Sequence, residues 1–124
     1  MRFARIVFTA AGIWGLTVLS PLLFLREVVG RQYPPAITHP DFYFGFVAVA
    51  MAWQIAFLII GRDPARLRPM MPAAMLEKFG YIATLLILYS RGELQAGQVI
   101  APVVPDGLLG MLFVVAYLKV QRVQ

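Results

Sequence analysis

Two uninterrupted apolar runs constrain this chain more than anything else in it. Ile6 to Leu25 and Phe42 to Gly61 are each twenty residues long and carry no charged side chain. About 20 apolar residues is what a helix needs to cross the hydrocarbon core of a bilayer. In lipid, every backbone N–H and C=O must be satisfied within the chain, so a spanning helix is the structure such a run can form. Two later segments, approximately 73–90 and 105–121, are also apolar. The reading is an all-α, polytopic membrane protein: one four-transmembrane-helix bundle, with spans at approximately 5–25, 41–61, 73–90 and 105–121.

Composition supports this. Of the 124 residues, 60% are hydrophobic and 14% charged, whereas soluble domains carry about 25% charged residues. Four spans and their connections use up the length, which leaves no room for an extramembrane domain. The chain has no cysteine and one histidine, His39. Disulfides, thiolate metal sites and thiol redox chemistry are therefore excluded, as is a haem held by two histidines of one chain. The net charge of +5 reads as a topology signal and an anchor to anionic headgroups rather than as a nucleic-acid surface.

The connections carry the punctuation. Arg2 and Arg5 precede the first run, which is longer than a signal-peptide core and lacks a clean cleavage site, so it reads as an uncleaved span. Pro34-Pro35 breaks the first connection, and Thr38-His39-Pro40-Asp41 resembles a capping box opening the second span. Pro69 and Pro72 bracket the approach to the third span, with Glu77 and Lys78 in its first turns, near the headgroups. The fourth span has two available starts. One lies near Gln98, with prolines inside the helix. The other, favoured here, is Pro105-Asp106, with Val99 to Val104 dipping into the interface.

Orientation follows from charge. Arg2, Arg5, Arg62, Arg66, Arg68, Lys78, Lys119 and Arg122 fall on one side of such a bundle, and Arg26, Arg31 and Arg91 on the other. By the positive-inside rule both termini are cytoplasmic, N-in and C-in. No internal repeat is visible, so an inverted-repeat transporter is not supported.

Polar groups within a span are functional candidates because leaving them unpaired is expensive. Arg62, Arg66, Arg68 and Lys78 are expected to contact anionic lipid, with Glu77 pairing one of the arginines and Tyr81 and Thr84 extending that face at helical spacing. His39, Asp41 and Asp106 are a second candidate group, at the start of two helices, where the simpler role is capping. Gln54 sits in mid-span and is a candidate for an interhelical hydrogen bond or a polar ligand. Ala48, Ala52 and Ala56 recur every four residues and form a candidate packing face; Gly12, Gly15, Gly107 and Gly110 read as packing notches. No catalytic constellation, metal-ligand spacing or phosphate-binding glycine loop appears.

The layout resembles small bacterial four-span proteins of the broad DoxX-like type. His39-Pro40-Asp41-Phe42-Tyr43, Arg62-Asp63-Pro64, Glu77-Lys78 and Pro105-Asp106 carry the likeness. The resemblance implies a four-helix fold in a bacterial inner membrane. It transfers no residue role. Small multidrug transporters are similar in length but place an acid in their first helix, which is absent here.

Two functions are expected from different classes. The first is a non-enzymatic accessory subunit or interaction module that packs through the Ala48/Ala52/Ala56 face against a membrane-protein partner or a second copy. The alternative is a binder of, or an enzyme acting on, a lipid or small apolar ligand. It requires a pocket of several hundred Å³ between helices, lined by Trp53, Gln54 and Tyr81. Its polar groups would be Gln54 and Glu77 to Tyr81, or the His39/Asp41/Asp106 set. No cofactor, metal or nucleic acid is expected.

Overall fold

The computed structural model describes residues 1–120. Arg122, which entered the charge count, and the final residue of the expected fourth span lie outside them. The chain forms α1 (Arg2–Leu19), a 3-10 extension over Ser20–Phe24, and a short α2 (Arg26–Gln32). Next come α3 (Pro40–Arg62), a 3-10 turn over Arg68–Met70, α4 (Met71–Ser90) and α5 (Ala96–Lys119). No strand occurs among the described residues. Four stretches are long and apolar enough to cross a membrane: Arg2–Phe24, Pro40–Arg62, Arg68–Ser90 and Ala96–Lys119. At about 1.5 Å per residue each is roughly 35 Å long, enough for the hydrocarbon core. The protein is an all-α four-helix bundle of the membrane-spanning kind.

Local chemistry explains most of the boundaries. Pro21 lacks an N–H and crowds the preceding turn, and the last turn of the first span tightens to 3-10 there. Pro40 occupies the first turn of α3, where its missing N–H costs nothing, and Asp41 follows in that same turn. The expected capping box at Thr38 does not form: His39 is the N-cap residue and gives no side-chain cap. A reciprocal capping box appears instead at the start of α5, between Gln95 and Gln98.

That cap marks the largest departure from the sequence reading. The fourth span starts at Ala96, not Pro105, and carries Pro102 and Pro105 inside it. A proline inside a soluble helix costs about 3 kcal/mol. Unwinding Ala96 to Val104 in lipid would strand several backbone groups, each costing more than a proline defect leaves unpaired. The helix therefore continues through its prolines. The consequence is positional: Asp106 becomes the eleventh of 24 residues in its span, not the cap of a new helix.

The helices associate as two tight pairs, α1 with α3 and α4 with α5. Glycines make the seams. Gly12 backs onto the Gln54 carbonyl, Gly15 onto the Gln54 side chain, and Gly61 onto Thr9; a methyl group at Gly12 would stand 2.8 Å from that carbonyl oxygen. Gly110 of α5 likewise receives the Phe79 ring, whereas Gly107 has only ordinary van der Waals neighbours and is not a notch. The buried side of α3 runs through Val47, Ala50, Gln54, Phe57 and Gly61. Ala48 and Ala52 point outward and Ala56 is half-buried, so the expected alanine face is not the seam within the bundle. Close approach there requires no side chain at all, a condition that alanine does not meet.

The two pairs join at one end. Ala4, Val7, Phe8, Ala11, Phe57, Ile60, Met71, Ala74, Phe113 and Ala116 form a continuous core where α1 and α4 begin and α3 and α5 finish. Phe8 stacks on Phe113 with ring centroids 4.3 Å apart, and Phe57 meets Phe113 edge-on at 5.0 Å. Toward the other end α3 and α4 scarcely touch.

Candidate functional site

The divergence of α3 from α4 opens a cavity of about 820 Å³. Its walls come from the second half of α1 (Trp14, Gly15, Val18), the first half of α3 (Phe42 to Gln54), and the facing stretches of α4 and α5. Small side chains keep it empty. At Gly45 an added methyl group would meet nothing within 4 Å, and Ala50 and Ala101 line the same space. Phe46 of α3 and Tyr81 of α4 stack across the gap, with ring centroids 5.7 Å apart and planes inclined at 24°.

The walls are largely apolar, and the polar groups are few. Lys78 sits at their centre and is only 4% exposed. Its Nζ lies 3.4 Å from Asp106 Oδ1, to which it donates a hydrogen bond, and 3.5 Å from Glu77 Oε2. The ammonium also faces the Phe57 ring at 5.3 Å, so the cluster rests on the aromatic core below. Lys78 is the eleventh of 23 residues in its span. Both partner carboxylates stand at comparable depth, roughly 15 Å from the nearer end of each span. A charge at that depth is costly alone and is held here by its opposite.

Two acceptors are left over. Gln54, 2% exposed, donates its Nε2 to the Ala50 carbonyl 2.8 Å away. The reverse amide orientation would put two oxygens in contact, so Oε1 is the free end, and it is buried without a hydrogen-bond partner. Glu77 Oε2 is also buried without one; Lys78 is at ion-pair distance but outside hydrogen-bond geometry. Buried polar atoms are normally satisfied; neither of these is open to the cavity, and Gln54 Oε1 lies against Gly15 in the α1–α3 seam.

The structure redistributes the residues selected from sequence. Trp53, Gln54, Glu77, Tyr81 and Asp106 all line the one cavity. His39 and Asp41 do not. They are exposed at the start of α3, where His39 packs against Phe42 with ring centroids 5.7 Å apart. Asp106 therefore belongs with Glu77, and the His39/Asp41/Asp106 group does not assemble. No group of three metal-ligating side chains occurs among the described residues.

The basic cluster divides as well. Arg62 and Arg66 are exposed. Arg68 donates to the Tyr117 carbonyl at 3.1 Å and lies over that residue's ring at 3.8 Å, which ties α5 to the turn before α4. Lys78 is not a headgroup contact at all: it is buried in mid-span and neutralised by acids, and no arginine among the described residues pairs with Glu77. The assignment to the interface failed because the third span begins five residues earlier than expected, which moves Glu77 and Lys78 inward.

Sequence reasoning also missed Trp14 and Gly15 as wall residues. A usable signal existed for the charged set. Giving all four spans equal length, about 23 residues, would have placed Lys78 and Asp106 both near mid-membrane, where opposite charges on two helices are expected to pair. Compared with family models, curated proteins and solved structures, the chain matches none. The function must be argued from the cavity itself.

Proposed function

We propose that this integral membrane protein binds a predominantly apolar small molecule or lipid inside the bundle, between α1, α3, α4 and α5. One observation carries the reading: a cavity of about 820 Å³ lined by apolar side chains, with a single polar pole. Small-molecule sites are typically some 300–1,000 Å³, mostly apolar, with a few convergent polar groups. A helix bundle that serves only as a packing subunit has no use for such a space, since each unfilled volume forfeits dispersion contacts. The cavity is the reason to prefer binding over an accessory-subunit role; for the latter, the outward-facing Ala48 and Ala52 leave a surface on which a partner helix could lie.

The excess of basic residues at the filled end supports an arrangement with that end cytoplasmic and the cavity toward the opposite face. Exposed Arg62 and Arg66 then meet anionic headgroups.

The test is mass spectrometry of small molecules carried through purification in mild detergent, on the parent protein and on Gly45→Leu. The leucine enters open space on the cavity wall and narrows the cavity without disturbing a seam. Binding predicts a defined apolar species on the parent that is depleted on Gly45→Leu. Recovery of the same species from both proteins in equal amount, or of none from the parent, overturns the reading.

A further inference from the structure

The polar pole has an unbalanced composition. Two carboxylates, Glu77 and Asp106, face one ammonium, Lys78. Its charge is shared between them, and it is pinned over the Phe57 ring rather than left free for a ligand. Gln54 is turned away from this pole: its amide donates to its own helix and its oxygen lies against Gly15. Glu77 and Asp106 keep 17% and 19% of their side chains exposed, so the carboxylates offer surface beyond their contact with Lys78. The remaining donors on the wall, Trp14, Tyr33, Trp53 and Tyr81, carry no charge to offset the carboxylates.

Resting on the binding function above, we infer that the ligand carries a cationic, hydrogen-bond-donating head: a protonated amine on an apolar body. Such a head donates to the exposed parts of the Glu77 and Asp106 carboxylates and supplies the positive charge that the cluster lacks. A carboxylate or phosphate head would instead meet two acids, with the lysine already engaged. A neutral hydroxyl would satisfy one acceptor and leave the charge. The apolar body would lie along the α3–α4 cleft toward Phe42 and Leu22, beneath the Phe46–Tyr81 stack. Hydrogen bonds to ionised groups are roughly twice as strong as neutral ones, and a paired charge in low dielectric adds to that.

Both tryptophans of the chain, Trp14 and Trp53, line the cavity, so occupancy can be read directly. The probes are a bromoalkylamine, the bromoalkanol and the bromoalkyl carboxylate of one chain length. Each is titrated into full-length protein in phosphatidylcholine nanodiscs, with bromine quenching of tryptophan emission as the signal. The expected result is saturable quenching by the amine at least about tenfold tighter than by the alcohol, with the carboxylate weakest. Glu77→Gln should bring the amine down to the affinity of the alcohol. Gly45→Leu should weaken saturable quenching by all three.

Equal affinity for amine and alcohol, or tightest binding of the carboxylate, overturns the inference about the head and leaves the cavity as a binding site. If no probe saturates, or Gly45→Leu quenches as the parent does, the binding function fails with it. A Glu77→Gln variant that does not fold is replaced by Asp106→Asn. That change removes the other carboxylate and predicts a comparable loss of amine affinity relative to the alcohol, about tenfold; an unchanged affinity counts against the inference.

Discussion

The two ends of the bundle are built from the same residue types to opposite effect. At the filled end, Phe8, Phe57 and Phe113 interlock face-to-face and edge-on, and alanines such as Ala74 and Ala116 let the helices close around them. At the hollow end, Phe46 and Tyr81 meet only across a gap, and Gly45, Ala50 and Ala101 leave space that no neighbour fills. Aromatic and small residues therefore do not define a core by their presence. What matters is whether the helix axes converge. The Glu77–Lys78–Asp106 cluster lies on the boundary, with the aromatic floor on one side and the cavity on the other.

That contrast can be broken experimentally, and the sharpest cut is at the boundary. Lys78→Met leaves two carboxylates buried with no counter-charge. Breaking a buried pair from one side costs about 3–5 kcal/mol, so its unfolding temperature in detergent should fall the most of any single change considered. Replacing Glu77 and Asp106 by Gln and Asn in the same chain should restore most of the loss. A Lys78→Met protein as stable as the parent would remove the cluster from the stability of the fold.

Within the filled end, Phe113→Ala should cost roughly 2–3 kcal/mol. This lies below the usual 3–5 kcal/mol of a soluble core, because lipid offers no hydrophobic drive between helices and only packing is lost. The direct comparison is the same enlargement at each end. Ala116→Leu overfills a packed position and should cost about 1–3 kcal/mol. Ala101→Leu enters the cavity and should leave the thermal unfolding midpoint nearly unchanged. Equal effects at the two sites would mean that the hollow end is not hollow in the bilayer. The smallest effect is expected at the exposed Arg91–Glu93 pair, 3.4 Å apart. Arg91→Ala should change stability by less than about 0.5 kcal/mol, and a larger change would give that connection a structural role.

The two charge-free runs made the first two spans readable to within three residues, since lipid permits little besides a helix there. The glycines of α1 were readable as notches for the same reason. Their partner surface was not: three alanines at a regular spacing of four look like a seam, but a close approach is made by complementary shapes on two helices, and one helix shows only half of it. The site was partly legible. Trp53, Gln54, Glu77 and Tyr81 stand out as polar or aromatic residues in or near apolar runs, yet Asp106 was grouped with the wrong partners. Its error and that of Lys78 share one origin, a helix end placed at a proline.

The amino-acid sequence by itself determined that this chain forms an all-α bundle of four spanning helices, because backbone satisfaction in lipid is a local requirement and the apolar runs meet it alone. It also determined which few polar groups lie within reach of the membrane interior. The tertiary structure alone decided that Lys78 is an interior counter-ion and not a headgroup anchor, that Asp106 faces Glu77 across two helices, and that α3 and α4 part to leave a cavity. Those are properties of helix pairs: their register and convergence arise from side chains on separate segments, and no one segment carries them.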